Sequence, residues 1–520
     1  MSKIKDILIP ITFGISVVWL VQHFFINKNN VSTPNIENRS FTAPASQQIA
    51  EPLYLDVDFY DEKERSKDQE NLTRVKTTYG ELTFSNFGGI LANLSYDLKN
   101  NINQPNINII QPDNSKENGA FLIGLNGFGD TPYYYDLIED ITENTGTTDN
   151  NNGIHKLSYK AESENAIITK QFTIYKDSPK IDLDLTLEPK NVKELRARIF
   201  LPGPETNNLK EDSNKAVLYS QDNRLEKKAL KEIELFGKEY PSLFGLEDHY
   251  FTTLLINDQN KFAKRAYFKI SSTKRATSIL ESTYVKDKTT WKLSFYCGPK
   301  ELNYLSKIDP RLTDLLEYGW FSFIAKPILY ILHLIYSVFK SYGLSIVIIT
   351  ILTRLIILPF TAKSETYRRR NLEVQKKLRY IEQAYKNDPE TLAREKLAIL
   401  RKHGIGSGAF LPIFVQTPIF IGLSRVINNA IEFYKVPFLW IPDLSLPDPY
   451  YILPMLFAAG MALQISQTNS NAKQRLIIGL TSIVIGAFFT SFSAGLTLYL
   501  SLSTLLGVAQ TYIQRRLKLS

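Results

Sequence analysis

One charge constrains how this chain can fold. Arg354 stands inside the apolar run SYGLSIVIITILTRLIILPFT, from Ser341 to Thr361, and no acid accompanies it there. The run is close to the ~20 residues that a helix needs to cross a bilayer core. Arg354 precedes Thr361 by seven residues, about 10 Å of helix at ~1.5 Å per residue. At that depth the guanidinium either snorkels to the nearer headgroups or faces a wet cavity or a partner carboxylate. Thr350 lies one helical turn away on the same face, so the face is polar at two positions, which favours a lined cavity.

The remaining charge is distributed around apolar runs. The 520 residues carry a net +8. Twelve Lys/Arg stand against six Asp/Glu between Thr361 and His403, and further excess lies at Lys3 and Lys5 with Asp6 beside them, at Lys473 and Arg475, and at Arg515, Arg516 and Lys518. These pieces sum to +12, leaving −4 for the rest of the chain. Each borders an apolar run, the pattern of cytoplasmic loops in membrane proteins. No stacking-aromatic or groove-reading motif accompanies the charge, which argues against nucleic acid. The single cysteine, Cys297, excludes an internal disulfide framework and a Cys-based zinc site.

In chain order the sequence predicts a membrane anchor over 1–26, uncleaved and with its N-terminus in the cytoplasm, because the apolar run ends in HFFINKNN rather than in small residues. An Asn-, Ser- and Pro-rich tether over 27–51 follows. From 52 to 310, runs such as AIITKQFTIYKDSPKIDLDLTLE and TTWKLSFYCGP alternate at period two between Gly, Asn, Asp and Pro. They predict antiparallel strands in a large β-sandwich domain outside the cytoplasm. His155 and His249 are its only histidines, and no carboxylate pair marks a catalytic centre. A sugar-binding cleft is conceivable from the architecture alone; support or partner docking is the preferred reading. The stretch 311–340, with aromatics beside Lys326, His333 and Lys340, reads as an amphipathic interfacial helix with His333 on its polar side.

Beyond the arginine-bearing span (341–361), residues 362–408 predict a basic helical hairpin. Asp388-Pro389 supplies an N-cap followed by proline at the first helical position. Its Arg368, Arg369, Arg370, Lys376 and Lys377 either form a solvated face or meet lipid headgroups, a ribosome or a nascent chain. Further spans are expected over 409–431, 450–466, 475–492 and 495–513, with a basic cytoplasmic tail over 514–520. Gln416 lies deep enough in its span to need a partner. The runs are short and the last holds Ser501, Ser503, Thr504 and Gln510, which implies local membrane thinning or an aqueous indentation.

The order of anchor, β domain, arginine-bearing span, basic hairpin and four closing spans resembles the YidC/Oxa/Alb family of membrane protein insertases. Specific matches are IIT(x)₃R(x)₄P from Ile348 to Pro359, LPIFVQTPIFIGL from Leu411 to Leu423, and LWIPDLSLPDPYYILP from Leu439 to Pro454. The resemblance implies a polytopic α-helical bacterial inner-membrane protein of six spans. Five of them form a core around a hydrophilic groove, beside a large periplasmic β-supersandwich, with both termini cytoplasmic. It implies insertion and chaperoning of nascent membrane proteins without enzymatic chemistry or cofactor. The partners implied are the phospholipid bilayer and, in some settings, the Sec translocon and ribosome. Carried over by motif, Arg354 is the groove arginine, Thr350 its neighbour, Gln416 the polar residue facing it, and Tyr499 a contact for the passing substrate helix. Leu500 and Thr504 depart from the family pattern. Two rival readings remain: an anion-handling transporter or channel with Arg354 as its site, and an intramembrane protease prompted by Ser424. The five histidines all fall outside the core spans, which disfavours the latter.

Overall fold

The computed structural model describes residues 70–516 except 99–105, 111–118, 126–133, 145–152, 164, 191–194, 205–214, 220–224, 230–236, 271–275, 317, 319–320, 387, 404–410 and 467–471. The anchor and tether expected over 1–51 lie outside the described residues, as does the end of the basic tail, 517–520.

The alternating segments form strands because every second side chain can be buried on one face of a pleated sheet. Ala166–Tyr175 and Lys180–Pro189 alternate buried with half-buried residues along almost their whole lengths and pair antiparallel with Phe172 opposite Leu183. They sit within a nine-stranded sheet that runs from Leu225–Ala229 at one edge to Asp136–Asn144 at the other. A five-stranded sheet includes Ala197–Pro202 and Arg265–Ile270. A four-stranded sheet is built from Leu72–Lys76, Gly80–Ser85, Ile90–Asp97 and Asn106–Ile110.

All three sheets contribute to one apolar core. Phe172 meets Phe84 at 5.0 Å and Phe121 at 5.5 Å between ring centroids, and Phe244 stacks on Phe268 at 4.3 Å. Such ring pairs add about 0.5–1.5 kcal/mol each beyond the area they bury. A third sheet sharing the core goes beyond what the alternation alone predicts.

Lys170 breaks the apolar pattern on the inward face of its strand. It is completely buried. Its Nζ donates to the carbonyls of Gly88 (2.6 Å), Gly89 (3.0 Å) and Phe121 (2.8 Å) and lies 4.7 Å from the Tyr135 ring centroid. A buried ammonium needs such partners for all three of its protons. Lys170 therefore ties the four-stranded sheet to the nine-stranded one through main-chain atoms.

After a short helix α1 (Leu302–Ile308), the helical part comprises α2 (Ser322–Phe339), α3 (Tyr342–Ala384), α4 (Pro389–His403), α5 (Leu411–Asn429), α6 (Ile452–Ser466), α7 (Ala472–Phe488) and α8 (Ala494–Arg516). Three described stretches are long and apolar enough to cross a membrane: Ser322–Phe339, Tyr342–Thr361 and Ala494–Ile513. α8 packs against α3, α5 and α6, while α2 packs against α3 and α5. The arginine-bearing span and the first arm of the hairpin are one continuous helix, α3, of 43 residues.

α2 exposes Phe323, Tyr330, Leu334 and Val338 together with Lys326. His333 does not point to an outer polar face; its Nε2 lies 2.9 Å from Oε1 of Glu432 in the chain after α5.

The loop between α5 and α6 caps α8. The carbonyls of Leu446 and Leu444 accept from the N–H groups of Ala494 and Gly495 at 2.7 and 2.9 Å, satisfying donors that a helix start leaves open. Within the loop, buried Asp448 accepts from the N–H groups of Tyr450 and Leu453 and from the Trp440 indole. The β-rich part also grips the helical part directly. Tyr250 packs on Tyr434 at 4.6 Å, and Lys227 bridges buried Glu247 (2.7 Å) and the Leu315 carbonyl (2.9 Å).

Candidate functional site

Arg354 is half-buried on α3, facing α8. Its Nε donates to Oγ of Ser503 at 2.8 Å. Ser503 Oγ also accepts from Nε2 of Gln416, on α5, at 3.2 Å. One hydroxyl thus gathers the guanidinium and the amide from two other helices. Both incoming groups are donors, so the hydroxyl oxygen serves as the shared acceptor.

α8 comes close to the guanidinium because position 507 lacks a side chain. A Cβ on Gly507 would sit 3.3 Å from Arg354 Nη2 and 3.3 Å from Gln464 Nε2. Gln464, on α6, therefore borders the same spot. Seven residues beyond Arg354, Thr361 Oγ1 accepts from Nε2 of Gln510, a second polar tie between α3 and α8. Ser503, Gly507 and Gln510 recur at spacings of four and three, so they fall on one face of α8.

Tyr499, one turn before Ser503, is buried. Its hydroxyl lies near Arg354, Thr353, Ser503 and Gln416, and among the described residues none of them meets hydrogen-bond geometry with it. Thr350 lies one turn before Arg354 on α3. It is fully buried and its hydroxyl donates to the Ile346 carbonyl of its own helix at 2.6 Å. The structure thus brings Arg354, Gln416 and Tyr499 together, and turns the Thr350 proton back onto α3.

Among the described residues no carboxylate lies within ion-pair distance of Arg354. Its guanidinium donates to the Ser503 hydroxyl, a neutral acceptor. Removing a charged side chain from water at the bilayer centre costs about 2.5–3.5 kcal/mol on insertion scales, so an uncompensated guanidinium is suited to attract an acid that passes it.

The hairpin residues separate into two groups. Lys376 and Lys377 are exposed and border a shallow hollow between α3 and α4, with Tyr380 and Tyr385 in its wall. The side chains of Arg368, Arg369 and Arg370 lie outside the described residues. Lys396 pairs with Glu382 at 2.7 Å across the two arms. At the start of α4, Asp388 accepts from the N–H and the hydroxyl of Thr391 at 3.1 and 2.6 Å, as its Asp-Pro sequence predicts.

The sequence marks Ser503 only as one polar residue of the last span, and does not mark Gly507 or Gln464. Ser503 and Gly507 are in helical phase with Tyr499, and that phase was the available signal.

Residues 72–331 match a family model described as YidC periplasmic domain, and residues 334–519 match one described as 60Kd inner membrane protein. A membrane protein insertase YidC from Campylobacter jejuni is 27% identical over 98% of this chain and 95% of its own length. One from Wolinella succinogenes is 32% identical over 68% of this chain and 66% of its own. Among solved structures, a crystal structure of an active YidC insertase is similar at 17% identity, covering 85% of this chain and 92% of that one, with a TM-score of 0.39.

Proposed function

This chain belongs to the YidC family of membrane protein insertases, and from that premise we propose that Arg354 is where it receives the acidic tails of the segments it inserts. The protein moves nascent membrane-protein segments from the cytoplasm into the inner membrane and assists their folding. The relatives it matches are named insertases throughout, and the anion-transporter alternative gains no support from them.

The carrying observation is the company Arg354 keeps: the Ser503 hydroxyl, the Gln416 amide and no carboxylate among the described residues. A short hydrophilic tail crossing the bilayer must bring its acids out of water, which is unfavourable without a partner. Two opposite unit charges 4 Å apart attract by about 4 kcal/mol at an effective dielectric of ~20, against about 1 kcal/mol in bulk water. A guanidinium partway across therefore lowers the barrier for an acidic tail. The apolar part of the substrate then leaves toward lipid past Tyr499. The driving force is apolar partitioning together with the membrane potential, with no covalent step.

In this reading the chain crosses the membrane six times, at 1–26, 341–361, 409–431, 450–466, 475–492 and 495–513, and the last five spans enclose the groove. Both termini are cytoplasmic. The basic hairpin, with Arg368, Arg369, Arg370, Lys376 and Lys377, meets the emerging chain at headgroups or at the ribosome, and the Sec translocon is a further partner.

The test is insertion of substrates with acidic or neutral tails by the Arg354→Ala, Arg354→Lys and Arg354→Glu proteins. Arg354→Glu should abolish insertion of acidic tails and spare neutral ones. Arg354→Lys should keep part of the activity, because an ammonium supplies charge without the guanidinium fork. Equal insertion of both tails by Arg354→Glu would refute the charge-pairing role.

A further inference from the structure

A charged cluster that insertion does not use lies on the five-stranded sheet. Leu195, Ala197, Ile199 and Leu201 enter the apolar core, so the alternation of the strand turns Arg196 and Arg198 to the opposite face. Arg198 stands across from Glu281 of the strand Ala276–Glu281, and Glu281 stands across from Arg265 of the strand Arg265–Ile270. Residues directly opposite on neighbouring strands share one face. The row therefore sets one acid between two arginines, with Arg196 beside them.

Glu281 is buried. Arg196 Nη1 donates to its Oε1 at 2.5 Å and Arg198 Nε donates to its Oε2 at 3.2 Å, so both carboxylate oxygens are engaged. The Tyr267 hydroxyl lies 3.5 Å from Oε2, in the field of Arg198 and Arg265 as well. One carboxylate cannot balance this set. Even with Glu239, which stands across from Arg265 in the next strand, three guanidiniums face two acids.

The same arginines hold donors that find no acceptor. Arg198 is 7% exposed, and its Nη2 is buried without a hydrogen-bond partner among the described residues; the same is true of Arg196 Nε. A guanidinium only donates, and a buried charged donor left unmet is costly. On its other side in the row, Arg198 stands across from Gly124, which has no side chain to offer an acceptor. The cluster also reaches the surface. The Arg196 side chain is 19% exposed, and its guanidinium carbon lies 4.1 Å from the ring centroid of exposed Tyr284.

Water could accept from these N–H groups but would leave the excess charge unbalanced. An oxyanion does both, through charge-assisted hydrogen bonds that are the strong ones for a guanidinium. We infer that Arg196 and Arg198 form a binding site for a small oxyanion, a carboxylate or a phosphate, entered beside Tyr284, with Glu281 as the fixed counter-charge that holds both guanidiniums in place. The β-rich part thereby acquires a ligand of its own, apart from the groove at Arg354.

Full-length protein in non-ionic detergent micelles and Tris chloride buffer would be titrated calorimetrically with sodium acetate, with sodium phosphate and, as reference, with sodium chloride. Saturable binding of acetate identifies a carboxylate site, and saturable binding of phosphate a phosphate site. Arg198→Met should weaken binding at least ~10-fold, because the donor and the excess charge go together. Glu281→Gln should act in the opposite sense and tighten it ~3-fold or more, since the competing carboxylate is gone; a purely structural cluster would show no such gain. Lys288→Ala, on the exposed surface of the same part, should leave binding unchanged. Should Arg198→Met fail to fold, Arg196→Gln, at a half-buried position, takes its place. Heats matched by sodium chloride, undiminished binding in the folded arginine variants, or a signal that disappears in Arg354→Ala and so belongs to the groove would overturn the assignment.

Discussion

Arg354 and Ser503, 149 residues apart in sequence, are joined by one hydrogen bond of 2.8 Å in which the guanidinium donates and the hydroxyl accepts. Because Gln416 donates to the same oxygen, Ser503 sets the position of both donors without carrying charge. Ser503→Ala removes the shared acceptor. A hydrogen bond to a charged group contributes more than a neutral one, but Arg354 is half-exposed, so a loss of about 1 kcal/mol is expected, about 5-fold in insertion of acid-tailed substrates. Ser503→Asp supplies a permanent acid and should depress insertion toward the Arg354→Ala level. Protease protection of a reporter tail in proteoliposomes measures both, and wild-type insertion by Ser503→Asp would contradict this account.

Gly507 offers a graded steric probe of the same place. The atoms its Cβ would meet, Arg354 Nη2 and Gln464 Nε2, are the far ends of flexible side chains. Gly507→Ala should therefore shift the guanidinium by a few tenths of an ångström and reduce insertion about 2-fold or less. Gly507→Leu should occupy the space and reduce insertion by at least ~10-fold while the protein still assembles, as judged by size-exclusion chromatography and a protease-resistant fold.

Lys170 makes a prediction for the β-rich part. Lys170→Met leaves the carbonyls of Gly88, Gly89 and Phe121 without the donor they share, and about 2 kcal/mol of stability should be lost, since unpaired buried polar groups cost ~1–3 kcal/mol. Burial also pulls the Lys170 pKa well below the ordinary lysine value. The unfolded chain therefore binds more protons than the folded one between the depressed value and about 10.4, so stability rises with pH across that window. The slope should flatten in Lys170→Met. Urea titrations at several alkaline pH values, followed by the fluorescence of buried Trp291, measure both effects.

The cap at Asp388 gives the opposite test at acid pH. Its hydrogen bond from the Thr391 side chain, then that from the Thr391 N–H, hold the carboxyl below its usual range. The contribution of the cap is complete above the ordinary carboxylate pKa and is lost as pH falls through the depressed value. Asp388→Asn should keep a capped but pH-insensitive helix, whereas Asp388→Ala should expose the first turn of α4 at every pH. Amide exchange at Thr391 and Leu392 separates the two.

Much of this architecture is legible in the sequence because two periodicities decide it. Alternation in AIITKQFTIY and KIDLDLTLE specifies strands, and an apolar run with one charge specifies the arginine-bearing span. Lys170 shows where such reading stops. It lies in phase with Ile168 and Phe172 on the buried face, yet only the turn at Gly88 and Gly89, about eighty residues earlier, explains how its ammonium is satisfied. Ser503 poses the same difficulty, since a serine in a polar helix face gives no sign of which of several helices it will meet. Spacing alone puts Thr350 on the arginine's face, but gives no sign that its hydroxyl donates to Ile346 of its own helix. Helix polarity puts His333 on an outer face, whereas its partner, Glu432, lies 99 residues further along. Contacts between distant segments are invisible to local pattern.

The unbroken run of α3 also has a mechanical meaning. From Arg354 to Ala384 it measures about 45 Å at ~1.5 Å per residue, a shaft that begins among lipid tails and ends in the basic arm. Pro359, five residues beyond the guanidinium, has no N–H to give the Leu355 carbonyl, so the shaft is most compliant there. On the proposed function, a pull on the arm from an emerging chain would bend this joint before it reached the arginine.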